Sequence, residues 1–189
     1  IKVLAGSIID SVIKYSSLIK EPSRLIIHFY KTMNQRELQP ILDALEDLEM
    51  SFPVFIVSIN KTESKDIVAF DKGYSGRIPK SGTFINIGRN RYLLFNNTRY
   101  SDNTSVKIDS YPFPVKLKLQ CSNPDLLYDS KTVQELIDQV YQFSRMYWKS
   151  LKQQNLPVTI KYPEMVAQIA PHFSGGVIPT FGKSNLWFL

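Results

Sequence analysis

The sequence predicts a mixed α/β domain built around a partly parallel sheet. Two short runs, 25–30 (LIIHFY) and 54–59 (VFIVSI), are almost continuously apolar and rich in β-branched and aromatic residues. Such runs are typical of strands that are covered on both faces. A helical pattern lies between them, so we expect a strand–helix–strand unit with parallel strands and a right-handed crossover. A longer helical pattern over 132–151 supports the same fold class.

The N-terminal third of the chain carries signals for two helices. Apolar residues at helical spacing predict an amphipathic helix over 3–19, and the segment 21–23 (EPS) ends it. After the first predicted strand, Asn34 and Glu37 form a capping-box pattern that predicts the start of the second helix. Pro40 is expected to delay the regular part of that helix.

The middle of the chain predicts antiparallel strands. Residues 83–87 and 91–95 are two strand-like runs that flank a short turn, which indicates a hairpin. Residues 115–119 (VKLKL) alternate strictly between apolar and charged side chains, so we expect a half-exposed strand there.

The C-terminal part predicts a long helix, a strand and a short helix. Thr132 and Glu135 repeat the capping-box spacing at the start of the 132–151 pattern. The segment 157–160 (PVTI) has the composition of a strand, and Pro163 fits the first turn of a closing helix.

Composition and charge exclude several classes of protein. The 189 residues are 43% hydrophobic and 21% charged, which indicates a globular domain and not a disordered tail. No apolar run approaches the roughly 18–20 residues of a membrane-spanning helix. The single cysteine, Cys121, excludes an intramolecular disulfide and fits a reducing compartment, so we expect a cytoplasmic location. The net charge of +6 favours polyanionic partners only weakly.

The two predicted parallel strands cannot complete a sheet by themselves. The runs 25–30 and 54–59 are too apolar to serve as open edges, because open edges invite pairing with other chains. We therefore expect further strands upstream of Ile1, and we expect residues 1–189 to be the C-terminal part of an α/β domain with an incomplete sheet.

The residue patterns of metal-dependent hydrolysis are sparse. A two-metal nuclease needs several carboxylates at strand ends, yet the exit of the first predicted strand reads 30–33 (YKTM). His28 lies within an apolar run and is predicted to be a hydrogen-bonded core histidine, whereas His172 is expected on a surface turn. The two histidines form no metal-ligand motif.

Basic residues are the more informative group. Near the end of the 132–151 helix they mix with aromatic residues, and others surround the predicted hairpin. A groove lined in this way would contact phosphates and stack on bases. The same residues also fit a solvated surface with cations at a helix C-terminus. The basic residues in question are Arg89, Arg91, Arg99, Arg145, Lys149, Lys152 and Lys161.

In order and spacing, several segments resemble the PIWI domain of Argonaute proteins. They are 24–31 (RLIIHFYK), 54–59, 111–117 (YPFPVKL), 132–151, 156–167 (LPVTIKYPEMVA) and the ending 186–189 (LWFL). The resemblance covers nearly the whole chain. It implies the C-terminal half to two thirds of an RNase H-like PIWI domain, with a MID domain and the first PIWI strands upstream.

The resemblance also implies a degenerate catalytic site. Cleaving Argonautes hold metal ions with an Asp, a Glu, a second Asp and a final Asp, His or Asn. The second of these positions falls near 5–7 (AGS), the third at Thr32 and the fourth near Glu164. One carboxylate cannot hold two metal ions, so the resemblance implies an Argonaute without slicing activity and without catalytic residues in this chain.

Binding residues are implied by the same resemblance. Lys31, Arg145, Lys149 and Lys161 correspond to positions that contact nucleic acid in the family. The C-terminal carboxylate of Leu189 would help to hold Mg²⁺ at the 5′ phosphate of the guide strand.

The chain resembles the short prokaryotic Argonautes in its predicted inactivity and in the sequence HFYK at 28–31. Those proteins contain only MID and PIWI domains and work with a partner that carries an APAZ domain, often fused to a TIR-type NAD-hydrolysing domain. The expected partners are a guide RNA or DNA, a complementary single-stranded DNA target and an APAZ-containing effector acting in prokaryotic defence. Two alternatives stay open: a guide-directed endonuclease that uses Glu164 with upstream carboxylates, and an RNase H-like domain that binds only protein.

Overall fold

The computed structural model describes residues 2–18, 22–61, 69–75, 77–96, 98, 113–147 and 155–173. The helices in these residues are α1 (Lys2–Leu18), α2 (Gln35–Asp47), α3 (Ser130–Arg145) and α4 (Val158–Ile169), with short 3₁₀ turns at Pro124–Leu127 and Ala170–His172. The strands are β1 (Leu25–Phe29), β2 (Val54–Asn60), β3 (Thr83–Gly88), β4 (Arg91–Phe95) and β5 (Val115–Cys121). They form one mixed sheet in the order β1-β2-β5-β4-β3.

The unit β1–α2–β2 is the parallel part of the sheet, as predicted. Leu25 pairs with Val54, and the register continues in parallel to Phe29 and Ser58. β2 is central and almost entirely buried, because β1 and β5 pair with its two sides. β1 is only half-buried, which is less than predicted. In the described part of the chain it has a pairing strand on one side only.

The start of α2 follows from the predicted capping box. The Asn34 side-chain carbonyl accepts a hydrogen bond from the Glu37 backbone N–H at 3.0 Å, and the Glu37 carboxylate accepts one from the Asn34 N–H at 3.1 Å. The helix begins at Gln35 and continues through Pro40, so the predicted delay was wrong. The cap satisfies two backbone donors at the first turn, which offsets the hydrogen bond that Pro40 cannot make.

The β3–β4 hairpin is also confirmed. Its turn residues, Arg89 and Asn90, both have positive φ angles, 54° and 55°. Two successive left-handed residues form the turn that best matches the twist of a two-residue hairpin. The side chain of Asn86 supports the turn by accepting a hydrogen bond from the Gly88 N–H at 2.8 Å.

The start of α3 corrects the second predicted capping box. Asp129 is the N-cap, and its carboxylate accepts hydrogen bonds from the backbone N–H groups of Lys131 and Thr132 and from the Thr132 hydroxyl. Glu135 does not cap the helix but forms an ion pair with Arg24 at 2.9 Å. The helix ends at Arg145 instead of near residue 151.

The predicted strand at 157–160 is wrong, because these residues open α4. Pro157 is the N-cap, and Pro163 lies inside the helix and not in its first turn. Ile160 and Leu156 pack against the hydrophobic core beside α3. Burial of a helical face outweighs the strand preference of three consecutive β-branched residues, since strand propensity depends strongly on context.

Two hydrophobic cores lie on opposite faces of the sheet. The first joins α3 to alternate residues of β2, β4 and β5, and its fully buried members include Val57, Leu117, Leu136 and Ile137. The second joins α1 and α2 to β1 and β2 through residues such as Ile41 and Ile56. Alternation along β5 places Lys116 and Lys118 on the face opposite α3. No helix within the described ranges is long and apolar enough to cross a membrane.

Candidate functional site

A pocket of about 320 Å³ opens beside the C-terminal ends of β1 and β2. Among the residues that the structure describes, seven line it, of which four are cations and none is a carboxylate. We call it the basic pocket. It is lined by Lys31, Thr32, Ser58, Asn60, Arg91, Lys116 and Lys118.

Sheet register brings these side chains together from distant parts of the chain. Ser58 on β2 lies opposite Lys118 on β5, and Lys118 lies opposite Arg91 on β4. Asn60 lies opposite Lys116 in the next row. Directly opposed residues of antiparallel strands point to the same face with Cβ atoms roughly 5 Å apart. The pocket floor is therefore a rigid row of polar side chains across three strands.

The hydroxyl of Ser58 is the buried polar group of this floor. The residue is only 4% exposed, and its Oγ has no hydrogen-bond partner in the described structure. A buried hydroxyl without a partner costs about 1–3 kcal/mol. A ligand that accepts a hydrogen bond from Ser58 would recover that free energy.

Lys31 stands at the rim of the basic pocket. Its ammonium group forms an ion pair with the Glu37 carboxylate at 2.7 Å and lies 6.0 Å from the ring centroids of Phe29 and Tyr30. The hydrogen bond between the two charged groups raises the pKa of Lys31 and lowers the pKa of Glu37. Because Glu37 also closes the capping box, the start of α2 holds Lys31 in place.

The structure separates the two predicted degenerate catalytic positions. Thr32 lines the basic pocket at the exit of β1, as its place in the sequence implied. Glu164 lies on α4, where its carboxylate pairs with Lys161 at 2.8 Å, and it is not part of the pocket lining. Two hydrolytic metal ions require carboxylate ligands, and the described residues that line the pocket around Thr32 include none. Among the described residues, no three His, Cys, Asp or Glu side chains form a group suited to a metal ion.

Arg145 is engaged in packing at the end of α3. Its guanidinium donates hydrogen bonds to the Ser81 hydroxyl at 2.6 Å and to the Asn96 carbonyl oxygen, and it lies 5.0 Å from the Tyr141 ring centroid. These contacts join α3 to the residues that precede β3 and follow β4. A role of Arg145 in nucleic-acid binding stays a prediction, as does the role of Lys161. Lys149 and Leu189 lie outside the described residues.

His28 makes the hydrogen bond that was predicted for it. Its Nδ1 lies 2.7 Å from the Thr159 hydroxyl oxygen, and its ring stands edge-on to Phe143 with centroids 5.8 Å apart. Burial lowers the pKa of His28 to about 4. The ring is therefore neutral at pH 7 and links β1 to α3 and α4. His172 is exposed on a 3₁₀ turn, as predicted.

Sequence reasoning missed most of the basic pocket. It singled out Lys31, Thr32 and Arg91 but not Ser58, Asn60, Lys116 or Lys118. The available signal was the alternation in residues 115–119, because two lysines two positions apart must share one face of a strand. Cys121 is half-buried beside the first core, and burial raises the pKa of its thiol.

Together, the sheet order and the basic pocket define a mixed α/β domain with a cationic site at the carboxyl ends of its parallel strands. No family model matches the sequence. A Piwi protein of Archaeoglobus fulgidus is 30% identical over 118 residues, which cover 59% of this chain and 28% of that protein.

Two solved Argonaute structures share the fold. The structure of Aa-Ago with externally bound siRNA has a TM-score of 0.58 at 14% identity and matches 90% of this chain and 21% of its own. The structure of Marinitoga piezophila Argonaute with a 5′-OH guide RNA and target DNA has a TM-score of 0.61 at 17% identity, with 87% and 22% covered. The chain thus spans between about a fifth and under a third of these relatives.

These likenesses confirm the predicted RNase H-like α/β fold of an Argonaute PIWI region.

Proposed function

We propose that this chain forms part of the nucleic-acid channel of a guide-dependent, Argonaute-type protein. The observation that carries the proposal is the basic pocket on an RNase H-like sheet. Lysine and arginine side chains neutralise backbone phosphates and release counterions, which supplies most of the sequence-independent affinity for nucleic acid. The Marinitoga piezophila Argonaute structure, which contains a guide RNA and a target DNA, supports nucleic-acid strands as partners.

We further propose that the protein binds its target without cutting it. The support is Thr32 at the strand exit and the described residues of the pocket lining, which offer cations, hydroxyls and an amide but no carboxylate. Two-metal hydrolysis needs anionic ligands to hold both ions. Base pairing with the guide would then supply the sequence specificity, and this chain would hold the backbone.

The proposal extends to an effector partner. By its resemblance to short prokaryotic Argonautes, we infer an APAZ-containing effector of the TIR-type NAD-hydrolysing kind, activated in defence against invading DNA. Target binding can activate such a partner only if it favours one of two states of the complex. Leu189 would contribute its carboxylate to Mg²⁺ binding at the guide 5′ phosphate.

A binding experiment tests the central proposal. The complete protein is titrated with a 5′-phosphorylated guide and then with a complementary single-stranded DNA at several salt concentrations. We expect the logarithm of the affinity to fall linearly with the logarithm of the salt concentration. Absence of binding, or binding that does not respond to salt, contradicts the proposal and favours a domain that binds only protein.

A cleavage assay tests the proposed inactivity. The guide-loaded protein is incubated with a fully paired target and Mg²⁺ or Mn²⁺, and we expect no guide-directed product. Cuts at a fixed distance from the guide 5′ end that disappear in Glu164→Ala would show the endonuclease alternative instead.

A further inference from the structure

We propose that the basic pocket binds one phosphate group directly, without a bridging metal ion, through the Ser58 hydroxyl and the cations beside it. The inference rests on the proposed function for the source of that phosphate, which is a phosphodiester of a bound strand. It assigns the pocket a ligand chemistry opposite in charge to that of a metal-dependent nuclease.

The Ser58 hydroxyl is the first support. It is buried, it lines the pocket, and it lacks a hydrogen-bond partner in the described structure. Each of the negatively charged oxygens of a phosphate group accepts hydrogen bonds. A phosphate in the pocket would therefore satisfy a donor that the protein itself leaves unpaired, and hydrogen bonds to charged groups are the stronger kind.

The charge around Ser58 is the second support. Lys118 lies directly opposite Ser58 across the β2–β5 pair, and Arg91 lies opposite Lys118 across the β5–β4 pair. Lys116 completes the lining on β5. Glu37 neutralises Lys31 at the rim, but the two charges of Lys118 and Arg91 already exceed the single negative charge of a phosphodiester. The same cations would repel a divalent metal ion.

Size and rigidity also fit. The pocket volume of about 320 Å³ lies at the small end of ligand sites, which are about 300–1,000 Å³. This suits a phosphate group with part of its sugar better than a whole base-paired segment. Ser58, Lys118 and Arg91 stand on paired strands, so their spacing is fixed before any ligand arrives.

The test uses the complete protein with inorganic phosphate as the first probe. Binding is measured by calorimetry and by the rise in melting temperature with phosphate concentration. Ser58→Ala removes the hydroxyl without changing charge, and Lys118→Gln removes one charge. The matched control is Lys131→Gln, which removes an exposed lysine at the start of α3. We expect roughly tenfold weaker phosphate binding in each pocket variant, as for one lost hydrogen bond to a charged group, and unchanged binding in the control.

A second measurement identifies the source of the phosphate. A guide strand and its DNA target are titrated in the same variants. If a phosphodiester occupies the pocket, inorganic phosphate competes with the strand, and Lys118→Gln reduces the salt dependence by about one phosphate contact. If the variants weaken phosphate but not strand binding, the pocket takes a small phosphorylated molecule, and the strand assignment is overturned.

The failures of this inference and of the proposed function are distinguishable. Normal strand binding with phosphate affinity equal in wild type, Ser58→Ala and Lys118→Gln overturns the phosphate site and leaves the proposed function intact. Phosphate binding that needs Ser58, without any strand binding, overturns the proposed function and leaves the phosphate site intact. Ser58→Ala keeps the test available if Lys118→Gln does not fold, because the serine hydroxyl makes no described hydrogen bond that folding would lose. Tight Mg²⁺ binding that Ser58→Ala abolishes would also overturn the inference.

Discussion

His28 should make the free energy of unfolding depend on pH between about 4 and 6.5. Its ring extends from β1 to contact Phe143 of α3 and the Thr159 hydroxyl of α4, and burial lowers its pKa from 6.5 to about 4. In the unfolded chain the same ring takes up a proton near pH 6.5. Between the two values the unfolded state binds more protons than the folded state, so stability falls as the pH falls.

The magnitude follows from the two pKa values. The full interval from 6.5 to about 4 corresponds to about 3 kcal/mol. Most of this loss of stability occurs at pH values above the pKa of the folded ring. Proton linkage gives a loss of about 2 kcal/mol between pH 7 and pH 5, which is a large fraction of the stability of a typical domain.

Urea unfolding at pH 7, 6 and 5 measures this effect in three proteins. His28→Gln removes the titrating group but keeps a partner for Thr159, and His172→Gln replaces the exposed histidine. Wild type and His172→Gln should lose about 2 kcal/mol more than His28→Gln on going to pH 5. Carboxylates titrate equally in all three proteins and cancel in the comparison. Equal pH dependence in all three would refute the reasoning.

Two further predictions concern the contacts that hold the elements in place. Asn34→Ala should lower the free energy of unfolding by about 1 kcal/mol through loss of the cap of α2, whereas Gln35→Ala, one residue on and exposed, should change it by less than about 0.5 kcal/mol; denaturant midpoints compare the two. Arg145→Met should lower it by about 2 kcal/mol, because the Asn96 carbonyl and Ser81 hydroxyl lose a charged donor. A change in Arg145→Met no larger than that in Gln35→Ala would show that those hydrogen bonds contribute little.

Elements with a strong local signal could be predicted from the sequence. The central strand β2 is a continuous apolar run, as expected for a strand that is buried on both faces. The hairpin was predicted from two strand-like runs around a short turn, and Arg89 and Asn90 adopt the left-handed conformation that such a turn needs. In each case a few neighbouring residues carry the information.

Elements decided by distant contacts could not be predicted in the same way. The segment 157–160 has strand composition, but its apolar side chains meet the core beside α3 and its backbone becomes helical. The cap of α3 is a related case. Thr132 and Glu135 have the right spacing for a capping box. Asp129 is nevertheless the N-cap, because its carboxylate accepts hydrogen bonds from two backbone N–H groups.

The candidate site also contains residues of both kinds, some predictable from local sequence and some placed by distant contacts. Lys31 and Thr32 follow β1 directly, so a local interpretation could place them at its exit. Ser58 and Lys118 are neighbours only because β5 inserts between β2 and β4, a pairing between residues 60 positions apart in the chain. Sequence patterning shows that Lys116 and Lys118 share a face, but it does not show which strand lies beside them.

The charge of the basic pocket and the packing of the core depend on one alternation. In β5, Leu117 and Leu119 are almost fully buried against α3, and this fixes Lys116 and Lys118 on the opposite face. A shift of register by one residue would move the lysines into the core and the leucines into the pocket. Folding therefore sets the position of the cations before any nucleic acid is present. A pocket whose charge is enforced by the core keeps its preference for anions, and this is why we assign it to a phosphate group and not to a metal ion.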